Sequence, residues 1–204
     1  MRAATVVVAS VAALVLGAVL GALLLGGDRE PGDQSAEAGF ARDMSVHHAQ
    51  AVEMAFMVRD STDDPELQLM AFDIINTQRA QIGMFSGWLQ QWELPQTSVR
   101  PPMEWTDHGH GGADMTSYDD MPGMASDEQL DQLSQARGLE AEILFLELMI
   151  DHHQGGVDMA KAVLPLTERA EVTYLADTIV AGQQAEIATM ETMLEERKAL
   201  YDPA

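Results

Sequence analysis

The sequence predicts an all-α protein: an antiparallel four-helix bundle built from a duplicated helical hairpin and preceded by an N-terminal transmembrane helix. Three observations carry that expectation. Apolar residues recur at helical spacing along four segments. Two of those segments repeat the other two at an offset of 105 residues, with no gap needed. An uncharged apolar run fills positions 3–25, long enough to cross a bilayer at roughly 20 residues per span.

Composition supports the class and removes others. Of 204 residues 47% are hydrophobic and only 5% aromatic, so the apolar mass is Ala, Leu, Val, Ile and Met, a helix-forming mixture. The absence of cysteine excludes a disulfide scaffold, a thiolate metal site and a thiol nucleophile. A formal net charge of -22, with no basic cluster, argues against nucleic acid and anionic lipid headgroups as partners. What stands out is the 14 methionines.

Taken in chain order, residues 1–27 are read as a signal-anchor. The apolar run exceeds the usual core of a cleaved signal peptide, about 7–15 residues, and no small-x-small site directly follows Leu25. Arg2 lies on the short side and Asp28, Glu30 and Asp33 on the other. This places the remaining chain outside the cytoplasm, anchored in the cell membrane; secretion after cleavage is the alternative. Gly17 and Gly21 have the spacing of a helix-dimerising pair, a route to a homo-oligomer, although glycine is also simply common in membrane spans. Residues 28–38 read as an acidic flexible stalk and 39–204 as the bundle.

Each half of the bundle reads as two helices, about 40–60 and 65–92 in the first and about 127–163 and 168–199 in the second. Asp64-Pro65 supplies an N-cap followed by proline at the first helical position, Ser126-x-x-Gln129 a capping box, Thr167 a cap, and Pro165 a stop to the third helix. The duplication aligns Phe40 with Phe145, Val52 with Val157, Ala71 with Ala176, Ile74 with Ile179, Gln78 with Gln183 and Ile82 with Ile187. Neither pair buries its stripe alone, and two antiparallel hairpins packed together are the simplest remedy. The joining segment, 93–125, is rich in Pro, Gly, His and Met and is expected to be non-helical.

The chemistry sits in the repeated blocks. Met44, His47, Ala51 and Met54 share one helical face, and Met149, His152, Gly156 and Met159 form its duplicate, with His48 and His153 about 100° around. A methionine stripe alone ordinarily fills a core, and one histidine on an apolar face is ordinarily a satisfied one. Two adjacent histidines, retained in both halves while their neighbours diverged, point to a metal site, since burying unpartnered imidazoles is costly. Imidazole with thioether favours copper. A di-iron centre would want glutamates and a Glu-x-x-His pattern, and neither His pair is preceded by one. Asp43, Glu53, Asp151 and Asp158 read as solvated acids. His108, His110, Met121 and Met124 of the joining segment form a secondary candidate metal site or lid, which linker composition explains equally well.

The blocks Met44-Ser-Val-His47-His48-x-x-x-Val-x-Met54-Ala55 and Met149-Ile-Asp-His152-His153-Gln-x-x-Val-x-Met159-Ala160 resemble those of the domain of unknown function 305 family, over about residues 38–199. The resemblance implies a ferritin-like helical bundle in exported bacterial proteins, some of them associated with copper binding or tolerance. It carries over His47, His48, Met54, His152, His153 and Met159, with Met44 and Met149 at the block starts. Where the first block has Gln50 and Ala51, the second has Gly155 and Gly156, a departure that makes the halves unequal. The expectation is therefore an extracytoplasmic copper-binding protein for storage, buffering or transfer rather than catalysis. The alternatives are a metal-dependent oxidase and a metal-free interaction module whose histidines sense pH near about 6.5. The protein partner is left open.

Overall fold

The computed structural model describes residues 30–106 and 115–200, and every regular element among them is helical. The predicted membrane span, and His108 and His110, lie outside the described residues. Among the described residues no helix is long and apolar enough to cross a membrane. The helical unit runs from Gly32 onward.

Helix α1 covers Ala36–Ser61 and starts earlier than expected, because Ser35 caps it by accepting from Ala38 N. The end of the predicted stalk is thus ordered, and Asp33 within it bonds buried Arg42 at 2.6 Å. Helix α2, Pro65–Gln91, begins as the sequence predicts, with Asp64 accepting from Leu67 N and proline in the first turn. The single helix expected over 127–163 is two. Helix α3, Asp127–Gln135, opens with the Ser126/Gln129 capping box, and helix α4 spans Leu139–Val163. Gly138 separates them at φ 55, a left-handed backbone that favours glycine, and its N–H donates to Ser61 O at 3.0 Å. The break therefore ties the second half to the end of α1. Pro165 lies in a short 3₁₀ turn, Leu164–Leu166, after α4. Helix α5 covers Ala170–Leu200. Thr167 does not cap it; its hydroxyl donates to Glu37 at 2.7 Å and accepts from Arg169 N.

Helix α1 packs along α2 and α4 along α5, giving two hairpins that meet through α1 and α4. That contact is antiparallel: the start of α1 (Phe40, Met44) shares a buried cluster with the end of α4 (Met159, Val163), and the end of α1 (Met54, Val58) shares another with the start of α4 (Phe145, Met149). Matching clips join the hairpins at opposite ends, Thr62 Oγ1 to Glu142 at 2.5 Å and Thr167 Oγ1 to Glu37 at 2.7 Å. The first end adds ions: Arg197 reaches Glu142 at 2.7 Å and Asp64 at 3.2 Å. At the other end Arg169 lies over the Trp92 ring, 5.6 Å from its centroid.

The joining segment is non-helical except for a 3₁₀ turn, Tyr118–Asp120, and α1 holds its first part down. Arg42 donates to the Pro95 carbonyl from two nitrogens, at 3.0 and 2.9 Å. Asp43, which the sequence suggested was solvated, is only 5% exposed and accepts from Met103 N and Trp105 Nε1, each at 2.7 Å. Burial pushes its carboxyl pKa up, against the pull of those two bonds and of Arg42.

Candidate metal centre

The two clusters leave a polar layer between them where α1 crosses α4. His47, His48, His152 and His153 occupy it, all fully buried. The rings of His47 and His152 meet with centroids 3.8 Å apart, and His48 and His153 flank them, each 6.4 Å from its chain neighbour. The antiparallel crossing of two helices carrying the same block accounts for this, since it sets equivalent positions against each other.

Three of the four imidazoles are oriented from outside. His47 donates from Nε2 to the Pro122 carbonyl at 3.0 Å, His48 to Gln81 Oε1 at 2.7 Å and His153 to Glu186 Oε2 at 2.7 Å. A carbonyl or carboxylate partner fixes the proton on Nε2, so the lone pair of each ring is on Nδ1. Those Nδ1 atoms, and both ring nitrogens of His152, are buried without a hydrogen-bond partner. Burial holds His47 at about 4 and His48, beside it, at about 3, and keeps His152 well below the ordinary 6.5. The three are neutral at pH 7, the form that ligates metals.

The sulfurs divide between the two sides of this layer. Met54 and Met149 belong to the cluster on one side, and Met44 and Met159 to the other. Met121 is buried with Met44 and Met159, and Met124 packs on the same cluster, so this linker pair adjoins the principal blocks rather than standing apart from them. Pro122, between the two, contributes the carbonyl that orients His47. The segment crosses α4 closely: a Cβ at Gly155 would collide with the Pro122 carbonyl, which gives that glycine a packing reason. Gln50 fastens the far end, donating to Ala125 O at 2.9 Å and accepting from Ala125 N at 2.7 Å. The departure of Gln50 and Gly155 from the repeat thus makes one strap, clamped by the first and admitted by the second.

The space beside Gly156 is filled. The Gln183 amide lies where a Cβ would stand, and the amide atoms of Gln78 and Gln183 are buried and unpartnered. Glu53, Asp151 and Asp158 are exposed, and none of them or Asp43 bonds an imidazole. Sequence reasoning missed Gln81, Glu186 and the Pro122 carbonyl. The first two are recoverable in hindsight, because each lies 33 residues beyond its histidine.

The donor set fits a soft transition metal in kind. Buried neutral imidazoles with their other N–H fixed by an oxygen acceptor are the arrangement that metal-ligating histidines adopt, and thioethers lie on both sides. Among the described residues no three His, Cys, Asp or Glu side chains are grouped closely enough to hold an ion by themselves. The rings of His47 and His152 pack against each other with their planes tilted by 33°.

No curated protein matches the chain. Solved structures do. A DUF305 protein from Streptomyces coelicolor is 46% identical, with a TM-score of 0.74 over 82% of this chain and 96% of that one. A DUF305 fragment from Deinococcus radiodurans is 34% identical, with a TM-score of 0.66 over 79% of this chain and 96% of that one. CopM in its Cu(II)-bound form is 32% identical, with a TM-score of 0.61 over 78% of this chain and 96% of that one, and CopM has also been solved bound to Cu(I) and to silver. The model of the domain of unknown function DUF305 matches residues 37–194, and the chain belongs to that family.

Proposed function

We propose that the protein binds copper through His47, His48, His152 and His153 with the thioethers of Met44, Met54, Met149 and Met159, and that it stores, buffers or hands on the ion. The observation that carries this reading is the layer of four buried imidazoles whose Nδ1 atoms have no protein partner, three of them with the Nε2 proton held by an outer oxygen. Burying such groups costs free energy that a bound ion repays. The copper- and silver-bound states of CopM, at 28–32% identity, support the choice of metal. Met121 and Met124 on the strap supply further thioethers next to Met44 and Met159, and His108 and His110 extend the same chemistry along the chain.

The bundle belongs outside the cytoplasm in this reading, a ferritin-like set of four long helices anchored by residues 3–25. Copper as cargo suits both the lack of cysteine and an acidic exterior that attracts cations. The test is competition titration of the full-length chain, purified without a polyhistidine tag, with Cu(I) and Cu(II). Wild type is expected to bind more tightly than a variant with all four histidines changed to alanine; equal affinities would remove the proposal.

A further inference from the structure

The two outer imidazoles are held by different chemistry. His48 and His153 each donate from Nε2 across 33 residues at 2.7 Å, but His48 meets the neutral amide of Gln81 and His153 the carboxylate of Glu186. Both Nδ1 atoms are buried and unpartnered. The Glu186 side chain keeps 29% exposure where His153 has none, so the acid stays in touch with water while its oxygen reaches the sealed ring. Resting on the copper reading above, we propose that Glu186 is a positioning residue that makes the His153 side selective for the doubly charged ion, whereas Gln81 leaves the His48 side suited to the singly charged one.

The reason is electrostatic. A carboxylate behind an imidazole raises the ring's basicity as a ligand, and its Coulomb attraction for an ion on the far nitrogen is proportional to that ion's charge. The water that Glu186 touches screens its charge in part, but the ring between it and the ion is sealed from solvent. The increment for Cu(II) is therefore twice that for Cu(I), and an amide in the same place supplies only the small part due to its dipole. The chain carries its own control: Gln81 holds a buried imidazole at the same distance as Glu186, so Glu186→Gln preserves the hydrogen bond and removes only the charge.

The test uses the full-length protein loaded with one copper ion, comparing wild type, Glu186→Gln and Gln81→Glu by Cu(II) and Cu(I) competition and by reduction potential. Glu186→Gln is expected to weaken Cu(II) about tenfold, the lower end of what the loss of an outer-shell partner costs, and Cu(I) about threefold. The ratio then changes about threefold and the potential rises by about 30 mV, at 59 mV per tenfold for one electron. Gln81→Glu is expected to lower the potential. A purely structural Glu186 would weaken both ions equally and leave the potential unmoved. An unchanged potential in Glu186→Gln, in a protein that still binds copper through its histidines, overturns this inference alone. Wild type that binds no copper overturns the copper reading and this inference with it.

Discussion

His47 of α1 and His152 of α4 pack ring against ring, centroids 3.8 Å apart and planes tilted by 33°, at the crossing of the two helices. Positions separated by 105 residues along the chain are thus in van der Waals contact, and neither ring has a charged side-chain partner. His47 is held by a backbone carbonyl and His152 by no hydrogen bond at all.

Replacing either member of this pair should weaken copper binding without unfolding the bundle. His152→Ala is expected to raise the Kd for copper by about tenfold or more, a loss at least as large as outer-shell changes produce. Competition titration reads the affinity and circular dichroism the helix content. Unchanged affinity with intact helices would exclude His152 as a ligand.

The metal-free protein should lose stability as the pH falls from about 7 to about 5. Burial holds His47 at about 4, His48 at about 3 and His152 well below 6.5, whereas in the unfolded chain each titrates near 6.5. Below that value the unfolded chain binds more protons than the folded one. Stability therefore rises with pH through this window: it is full above about 6.5 and drains away toward the folded values. Urea midpoints at about pH 7.5, 6 and 5 should fall in that order, over a range in which most carboxylates stay ionised. A midpoint that stays flat or rises toward pH 5 would contradict the buried neutral state.

Two glycine-to-alanine changes should have opposite signs. Gly83 in α2 has open space where a Cβ would go, so Gly83→Ala is expected to stabilise by about 0.5–1 kcal/mol through helix propensity. At Gly155 the new methyl meets the Pro122 carbonyl, backbone that cannot rotate away. Overpacking of about 1–3 kcal/mol outweighs the propensity gain there, and Gly155→Ala is expected to destabilise. Denaturant midpoints decide the signs, and a stabilised Gly155→Ala would show that the strap yields easily.

The ionic end of the bundle should be worth more than a surface pair. Arg197 is buried and shared between Glu142 and Asp64, and Glu142 also receives the Thr62 hydroxyl. Glu142→Ala leaves a buried guanidinium with only Asp64 and the Met193 carbonyl and a buried hydroxyl without its acceptor, at an expected cost of about 3 kcal/mol. Thermal and urea unfolding would reveal it. A loss below about 1 kcal/mol would place this contact with ordinary exposed ion pairs.

Much of the fold was legible because helices announce themselves locally. Asp64-Pro65 and Ser126-x-x-Gln129 cap where they should, and the His-His blocks lie on buried helical faces as the periodicity requires. The failures have physical reasons. Gly138 was read through as part of a continuous helix because one glycine costs a helix only about 1 kcal/mol; the hydrogen bond from its N–H to Ser61 O, which ends the helix there, is a tertiary contact. Asp43 looked like a solvated acid because its two donors come from Met103 and Trp105, about sixty positions away. Gln81 and Glu186 were not legible because the repeat sets an amide against an acid at this position, so no identity marks the shared part they play.

The sequence by itself determined the helical class, the Asp64 and Ser126 caps, the two His-His blocks with their methionines, and the absence of any thiol, all properties of residue type and short spacing. Only the tertiary structure decided that His47 and His152 touch, that Pro122, Gln81 and Glu186 fix three rings with their lone pairs on Nδ1, and that the segment from Met121 to Ala125 lies across α4. Periodicity says which face of a helix is buried. It does not say which residue from another helix, or from a loop, will meet that face, because helix crossing and loop path are settled by packing of the whole core.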